Sequence, residues 1–294
     1  MSLSDMQVPA SKGRNWNFDH ASRVLRRRAP GLVLITVAGL YSIVPVLSML
    51  SAALAPPHSI PQGLNFPSHP HWHNFVAAWS TANLTTLLKS SLIIVVGVVP
   101  VSVLIATMAG YAIWILRIRF GKLFYTILIL TLTLPFELVI VPLWEQEKAM
   151  GLLGTRWALI LPLIGLNMPF AVFWMSAHFR GVPKEMSEAA DVDGAGPWRA
   201  FRHIHLPLAR SSVASLALLM FLSTWNQFLL ALVLVGNPNE GTMAEGLQAF
   251  VTRYSTNDVL LNAGALEIMA PTIIVFLLLQ RHFVKALLAG AVKG

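Results

Sequence analysis

Long apolar stretches alternate with short polar segments along this chain. Six of the stretches exceed or approach the ~20 residues that a helix needs to cross about 30 Å of hydrocarbon. The pattern therefore predicts an all-α, polytopic membrane helix bundle with six transmembrane helices. The predicted spans are residues 30–54, 86–114, 123–144, 157–179, 211–235 and 263–281.

The first span is expected to stay in the mature protein. It is longer than the apolar core of a signal peptide, which has about 7–15 residues. Small residues at 52–55 resemble a cleavage site, which leaves processing as the alternative. Prolines within the spans do not oppose the prediction, because membrane helices tolerate kinks.

Composition supports a membrane protein. Hydrophobic residues make up 55% of the chain and charged residues 12%, whereas a soluble domain carries about 25% charged residues. A water-soluble globule of this size cannot bury so much apolar surface. The chain has no cysteine, which excludes disulfides and thiolate chemistry.

Basic residues predict the orientation of the spans. Of the 21 Lys and Arg residues, 17 lie before the first span, between the second and third spans, around residues 180–209, or at the end of the chain. The positive-inside rule makes these segments cytoplasmic, including the N-terminal tail 1–29 and the C-terminal tail 282–294. The same clustering explains the net charge of +8 by topology and contact with the lipid bilayer, so we expect no nucleic-acid binding.

A polar island between the fourth and fifth spans predicts a helix, a turn and a second helix. Pro183 suits a first helical position, and Glu185 favours the positive start of a helix. Gly194 allows the backbone to leave the helix with positive φ. Gly196-Pro197 restarts a helix, and Pro207 disturbs it. A helix–turn–helix on the surface of a membrane protein suggests a docking element.

The residues of this island resemble a known family. Glu188-Ala-Ala-Asp-Val-Asp-Gly-Ala195, followed by Ile204 and Leu206-Pro207, is similar to the EAA loop of bacterial ABC-importer permeases. The chain end from Gln280 to Gly294 resembles the carbohydrate-uptake (MalG-like) subfamily. Further matches to that subfamily are Gly151 to Thr155 with Leu161-Pro162, and Trp225-Asn226.

The resemblance implies a type I ABC-importer (MetI-like) permease fold in a bacterial inner membrane. The loop would form the coupling helix that docks on an ATPase. Glu188 would pair with basic residues there, Ala189 and Ala190 would allow close approach, and Gly194 would make the turn. The coupling residues it implies are Glu188, Ala189, Ala190, Asp193, Gly194, Ala195 and Pro207.

The implied partners are a second homologous permease, two ATP-binding subunits and an extracytoplasmic solute-binding protein. ATP and Mg would be held by the ATPase subunits, and no cofactor is expected on this chain. The chain has no Walker A pattern, no Gly-x-Ser-x-Gly and no His-Glu-x-x-His. We therefore expect a permease and not an enzyme.

Polar groups inside the predicted spans suggest a translocation path, because each is costly if it faces lipid. Counted at about 1.5 Å per residue, four spans place such groups between the midplane and the outer leaflet. Aromatic neighbours would stack on sugar rings. The candidates are Glu137, Asn167, Phe170, Trp225, Asn226, Gln227 and Glu267. The alternative is that they form hydrogen bonds between helices. Separately, the resemblance to two-permease sugar importers implies that the partner permease holds most substrate contacts.

Two outer loops carry further candidates. His69, His71 and His73 would share one face of a strand, which suggests a metal site. The alternative is a polar loop anchored at the interface by Trp72 and Trp79, and no metal site is assigned. The loop 236–262 contains turn residues, and similar loops in the family reach toward the solute-binding protein.

The resulting hypothesis is a permease subunit of an ATP-driven, binding-protein-dependent importer of a sugar or oligosaccharide, working by alternating access. The first alternative is an importer of another solute, such as a glycerol phosphodiester or a polyol. A second is an ion-coupled secondary transporter, with Glu137 and Glu267 as candidate carboxylates, although the sequence has no visible internal repeat. A membrane enzyme lacks any motif.

Overall fold

The protein is a helical bundle. The computed structural model describes residues 18–61 and 63–291, with side chains described for 30–61 and 63–281. Within this part the β structure is an isolated bridge between Val251 and Thr256. The helices are α1 (Phe18–Ala53), α2 (His73–Thr81), α3 (Leu84–Trp114), α4 (Gly121–Thr131), α5 (Ile140–Ala149), α6 (Trp157–Arg180), α7 (Lys184–Val192), α8 (Pro197–Ala200), α9 (Leu206–Leu208), α10 (Arg210–Trp225), α11 (Leu229–Leu234) and α12 (Asp258–Ala291), with 3-10 segments at Phe136–Val139 and Ala244–Phe250 and a π segment at Phe201–His205.

The all-α membrane class is confirmed. Four helices of the described part are long and apolar enough to cross a bilayer: Pro30–Ala53, Leu84–Trp114, Trp157–Arg180 and Asp258–Arg281. Two bent pairs raise the number to six if each pair counts as one span. The first pair bends by 96° between Gly121–Thr131 and Phe136–Ala149, and the second by 75° between Pro197–Leu208 and Arg210–Trp225.

The predicted third span, 123–144, is not one continuous helix. Its helix stops at Thr131, and the chain turns before Phe136. Pro135 has an extended backbone, with ψ of 128°. Proline has no N–H for a helix ladder, and it drives the preceding residue away from the helical region. The helix that follows runs on to Ala149, beyond the predicted end.

The predicted fifth span, 211–235, is interrupted between α10 and α11. Its helix ends at Trp225, and a second short helix begins at Leu229. The Gln227 side chain accepts a hydrogen bond from the Leu230 N–H at 3.3 Å, and the Thr242 hydroxyl donates to the Gln227 carbonyl at 2.6 Å. Polar side chains thus satisfy the backbone groups that the break releases, which is what a break at membrane depth requires.

The outermost helices extend past the predicted span limits. Helix α1 begins at Phe18, so it includes part of the predicted tail 1–29, and α12 runs to Ala291, into the predicted tail 282–294. Residues 1–17 and 292–294 lie outside the described residues. Two backbone carbonyls at the end of α1 lack a partner within the helix. The buried Asn74 amide donates to them, at 2.8 Å to Ala53 and 2.9 Å to Ala55.

The centre of the bundle is the contact between α3 and α6. A Cβ on Gly97 would lie 3.0 Å from the Ile160 side chain, and one on Gly110 would lie 3.1 Å from both Met175 and Phe179. Small residues at these positions let the two backbones approach closely, as is usual between membrane helices. Helix α10 packs on both helices, and the polar island at residues 180–209, the candidate docking loop, continues directly from this core.

Candidate docking loop and transport path

The polar island folds as a helix, a turn and a second helix. Pro183 lies just before α7 and not within it, because its ψ of 141° is extended. Its carbonyl accepts the first helical hydrogen bond, from the Met186 N–H at 3.4 Å. Helix α7 then runs from Lys184 to Val192, with Glu185 in its first turn.

Gly194 ends this helix in a left-handed conformation, with φ of 69°. Its N–H donates to the Asp191 carbonyl at 3.0 Å, and the Ala195 N–H donates to the Ala190 carbonyl at 2.9 Å. This pair of bonds is a Schellman motif, which satisfies carbonyls that the helix end leaves unpaired. The turn is therefore specified by its own backbone and needs no partner chain to form.

The second helix begins at Pro197, after Gly196 in an extended conformation. A π segment, Phe201–His205, ends two residues before Pro207, which lies in α9. Because Pro207 has no N–H to give to the preceding turn, the helix widens and then bends into α10. Exposed Pro207 is thus at the joint between the loop and the membrane helix.

The predicted coupling residues do not all face outward. Glu188, Ala189, Asp193 and Gly194 are exposed, whereas Ala190 is only 2% exposed and Ala195 is half-buried. Ala190 therefore permits close packing of α7 on the bundle itself.

Sequence reasoning missed two exposed apolar side chains on this surface. Val192 is 88% exposed and Trp198 is 62% exposed, and Trp198 stacks on Phe201 with ring centroids 5.4 Å apart. Their signal in the sequence was two large apolar residues within an otherwise polar island. An exposed tryptophan is typical of the residues that anchor protein interfaces.

A buried cluster beneath the loop joins it to the spans. The Tyr111 hydroxyl, on α3, donates to the Pro197 carbonyl at 2.9 Å. The Tyr111 ring lies 5.0 Å from the Phe201 ring and 5.1 Å from the His205 ring. His205 is 1% exposed, and its Nε2 lies 3.5 Å from the Ser187 hydroxyl on α7. Tyr111 thus contacts both α8 and the π segment that follows it.

Removing the Tyr111 hydroxyl is expected to weaken this connection. Tyr111→Phe keeps the ring contacts but loses one partly buried hydrogen bond to the Pro197 carbonyl, a cost of about 1 kcal/mol. We expect normal insertion, a slightly lower thermal midpoint of the purified complex, and less transport per ATP hydrolysed. Tyr41→Phe is the control, since Tyr41 is 82% exposed. An unchanged ratio of transport to hydrolysis in Tyr111→Phe would contradict the role.

Three of the predicted path residues make hydrogen bonds within the chain. The Asn226 amide donates to the Leu222 carbonyl at 2.9 Å, and Gln227 caps α11. Asn167 accepts from the Ser223 hydroxyl at 3.3 Å, which joins α6 to α10. In the part of the chain with described side chains, the Asn167 amide nitrogen has no partner. Asn167 thus has a buried amide nitrogen whose N–H groups remain free to donate.

The other path candidates lie in different environments. Glu137 is exposed at the break after α4, and half-buried Phe170 lies 6.2 Å from the Trp174 ring. Trp225 is 1% exposed, and its indole N–H donates to the Ile268 carbonyl at 3.1 Å. That placement favours packing over a substrate contact. Glu267 is half-buried on α12. No hydrogen bond joins two members of the set among the described side chains.

At the end of the bundle opposite the docking loop, a charged network holds the segment 236–244. Arg156 forms an ion pair with Glu240 at 3.1 Å, and its guanidinium also donates to the Asn239 carbonyl and to the Ser90 hydroxyl. The Ser90 hydroxyl in turn donates to the Glu240 carbonyl at 2.7 Å. The Glu240 region is therefore tied to both α3 and α6.

Breaking the ion pair is expected to loosen this segment. The two side chains are 27% and 29% exposed, so removing one charge leaves the other partly buried, at a cost of about 1–3 kcal/mol. We expect Arg156→Gln and Glu240→Gln each to increase amide exchange of residues 236–244, and the double variant to cost less than their sum. Lys89→Gln, at an exposed position nearby on α3, is the control. Additive effects of the two substitutions would contradict the coupling.

Much of the predicted outer loop 236–262 packs against the helices of the bundle. Met243 and Phe250 are buried, and a Cβ on Gly264 would lie 2.7 Å from the Phe250 ring. Burial raises the pKa of the Glu245 carboxyl above its usual value. The exposed part is a tight turn in which Thr252 and Ser255 exchange hydrogen bonds, with Tyr254 89% exposed at its tip.

The histidine loop does not form the predicted strand. His69 and His71 lie in irregular backbone, and His73 begins α2. Within the described residues, no group of three His, Cys, Asp or Glu side chains is placed to hold a metal ion.

Comparison with known proteins establishes the family. Residues 99–288 match the family described as binding-protein-dependent transport system inner membrane component. The diacetylchitobiose uptake system permease protein NgcG of Streptomyces coelicolor is 31% identical over 276 residues, covering 93% of this chain and 91% of the relative. The arabinooligosaccharides transport system permease protein AraQ of Halalkalibacterium halodurans is 32% identical, covering 86% and 92%. The chain belongs to this family of multi-pass membrane permeases.

A solved structure confirms the fold. A chain of a bacterial ABC transporter involved in the import of the acidic polysaccharide alginate superimposes with a TM-score of 0.73. The match covers 89% of this chain and 98% of that chain, at 22% identity. The fold is that of an ABC-importer permease, as the EAA-like loop led us to expect.

Proposed function

We propose that this chain is a permease subunit of an ATP-driven importer of a sugar or oligosaccharide. It would form the translocation path with a second, homologous permease. Two ATPase subunits would bind and hydrolyse ATP with Mg, and an extracytoplasmic solute-binding protein would deliver the substrate. The carbohydrate class follows from the relatives, whose names state diacetylchitobiose and arabinooligosaccharides.

The observation that carries this proposal is the docking loop. Helix α7, the Gly194 turn and α8 present exposed Glu188, Val192 and Trp198 at one end of the bundle. A chain without a nucleotide-binding motif needs such a surface to receive energy from another subunit. With this loop on the cytoplasmic side, as the basic residues predict, both termini would also be cytoplasmic.

The contacts beneath the loop suggest how force reaches the spans. Closure of the ATPase pair would move α7 and α8 together, because the Gly194 turn is fixed by its own hydrogen bonds. Tyr111 and His205 would carry that movement to α3. Tightly packed α3 and α6 would then move as one body, since close-packed interfaces shift between discrete arrangements and do not deform continuously.

The substrate path is proposed to include Asn167, Glu137, Phe170 and Glu267, with Asn226 and Gln227 at the break beside them. Asn167 has unused donors, and broken helices place polar backbone groups where a hydroxylated substrate can reach them. Trp225 is proposed to hold α10 against α12 next to the path, through its hydrogen bond to the Ile268 carbonyl. At the outer end, the turn bearing Arg253 and Tyr254 is the proposed contact for the solute-binding protein.

Affinity purification from the native membrane in mild detergent, with mass spectrometry, tests the assembly. Recovery of a Walker-motif ATPase and a second permease is the expected result. The recovered complex can then be screened with its binding protein against neutral and acidic oligosaccharides, polyols and glycerol phosphodiesters. Recovery of this chain alone, active with an ion gradient and no ATP, would replace the proposal with a secondary transporter. Uptake of a non-sugar solute alone would retain the importer and reject the carbohydrate class.

A further inference from the structure

A basic groove of about 860 Å³ lies beside the docking loop, between the α3–α4 connection, the end of α6 and the start of α7. Four cationic residues line it: Arg117, Lys122, Arg180 and Lys184. Glu188 is the acidic residue among the lining side chains. The lining therefore carries four positive charges against one negative charge.

Within residues 30–61 and 63–281, whose side chains are described, no carboxylate forms an ion pair with any of these four cations. Among the described side chains the one ion pair joins Arg156 to Glu240, at the opposite end of the bundle. The four groove cations are all exposed and come from three different segments. Like charges gathered in this way repel one another, so their grouping favours an anion between them.

Arg180 is held in place at the wall of the groove. Its guanidinium carbon lies 4.2 Å from the Trp114 ring centroid and 5.7 Å from that of Tyr125. The two rings are themselves edge to face, 5.8 Å apart. A guanidinium whose face contacts an aromatic ring keeps its edge N–H groups for a bidentate contact, the geometry that suits a phosphate.

Two residues of the α3–α4 connection beside the groove have a strained backbone conformation. Arg117 and Phe120 have φ of 52° and 66°, a region that residues with a Cβ rarely occupy. Strained residues of this kind occur at ligand sites more often than elsewhere. Here the two conformations position the cation and the aromatic residue that line the groove.

The rim of the groove continues into an apolar surface. Phe120 lines the groove and is 68% exposed, and on α4 the side chains of Leu123, Phe124, Ile127 and Leu130 are each more than half exposed. Their spacing of three and four residues places them on one face of the helix. The basic groove is thus continuous with the exposed apolar face of α4, which belongs to the predicted third span.

We propose that this groove binds the phosphate headgroup of an anionic phospholipid, with the acyl chains lying along the exposed face of α4. A bilayer supplies both parts of such a ligand, whereas a soluble anion supplies only the charge. Lys184, Ser187 and Glu188 belong to α7 and also line the groove, so the bound headgroup would contact the docking helix. The binding site itself does not depend on what the protein transports.

Native mass spectrometry of the complete purified complex tests the proposal, with phosphatidylglycerol or phosphatidylcholine added in detergent. We expect the wild-type complex to retain phosphatidylglycerol in preference to phosphatidylcholine. A basic residue that lines the groove and contacts the bound headgroup is expected to contribute roughly fivefold to lipid retention. Lys122→Gln should therefore reduce retention about fivefold, and Lys122→Gln with Arg180→Gln roughly twentyfold.

The matched control is Arg119→Gln. Arg119 lies in the same connection and has the same charge, but it is outside the groove lining and rests on the Phe120 ring at 5.1 Å. Retention in this variant should stay within about twofold of wild type, because it removes general surface charge only. Equal losses in Arg119→Gln and Lys122→Gln would overturn the site in favour of nonspecific attraction.

Two further measurements distinguish a bound lipid from a free anion and from a covering protein subunit. Excess inorganic phosphate should leave the lipid in place, and its complete displacement would assign the groove to a free anion. Complexes with and without the ATPase subunits should retain the lipid equally. Retention only after the ATPase is removed would mean that the groove is covered by protein in the assembly, and would overturn the proposal. Transport activity is not the readout, so these results are independent of the substrate.

Discussion

Glu188→Lys is expected to abolish ATP-driven uptake while leaving membrane insertion intact. The side chain is exposed on α7, so reversing its charge barely changes packing within the bundle. On a docked ATPase, the same reversal replaces an attraction with a repulsion. Loss of one partner from an interfacial charge pair costs about 2–5 kcal/mol, or more than roughly thirtyfold in affinity. The measurement is recovery of ATPase with the tagged permease, together with uptake in membrane vesicles.

Glu145→Lys provides the control for net charge, because Glu145 is exposed on α5, away from the docking loop. Reversing a basic residue of the ATPase cleft to Glu should restore docking of Glu188→Lys if the two charges are neighbours. Undiminished ATPase recovery and uptake in Glu188→Lys would contradict the docking role of this residue.

Gly194→Val is expected to lower uptake by about tenfold or more through the backbone alone. A Cβ at this position would meet no atom within 4 Å, so the substitution creates no clash. Its cost comes from φ of 69°, which is about 1–3 kcal/mol for a residue with a Cβ and at the upper end for a β-branched one. The turn would open, and α7 and α8 would lose their fixed relation.

The loop supplies its own control in Gly196→Val. This glycine also has open space around its Cβ position, but its φ is −61° with ψ of 163°, an extended conformation that valine adopts readily. Gly194→Asn should retain more uptake than Gly194→Val, since asparagine tolerates the left-handed region. Equal defects in Gly194→Val and Gly196→Val would show that the turn conformation is not what matters.

The helical class and the docking loop were predictable because their signals are local. Six apolar stretches require helices in a bilayer, and Gly194 and Pro197 specify a turn and a helix start through their own backbone preferences. The breaks were harder to predict. Pro135 was interpreted as a tolerated kink, yet the helix stops before it. Asn226 and Gln227 were predicted as candidates for the substrate path from their depth alone, and their hydrogen bonds at the interruption of the span could not be predicted from it.

What the sequence did not reveal depends on contacts between distant residues. Tyr111 and Pro197 are far apart in the chain, and no local pattern indicates that one donates to the other. Likewise, the packing of Phe250 against Gly264 turns much of an apparent outer loop into part of the bundle. Trp225 is a predicted candidate for stacking on a sugar ring, and the surrounding helices bury its side chain. Burial of this kind is decided by tertiary packing.

Uptake of a labelled oligosaccharide into proteoliposomes that contain the complete complex distinguishes an ATP-driven importer from a secondary transporter. We expect uptake to require both ATP on the side of the docking loop and the solute-binding protein on the other side, and we expect Glu188→Lys to eliminate it. Uptake by this chain alone, driven by an ion gradient without ATP, would rule out the importer.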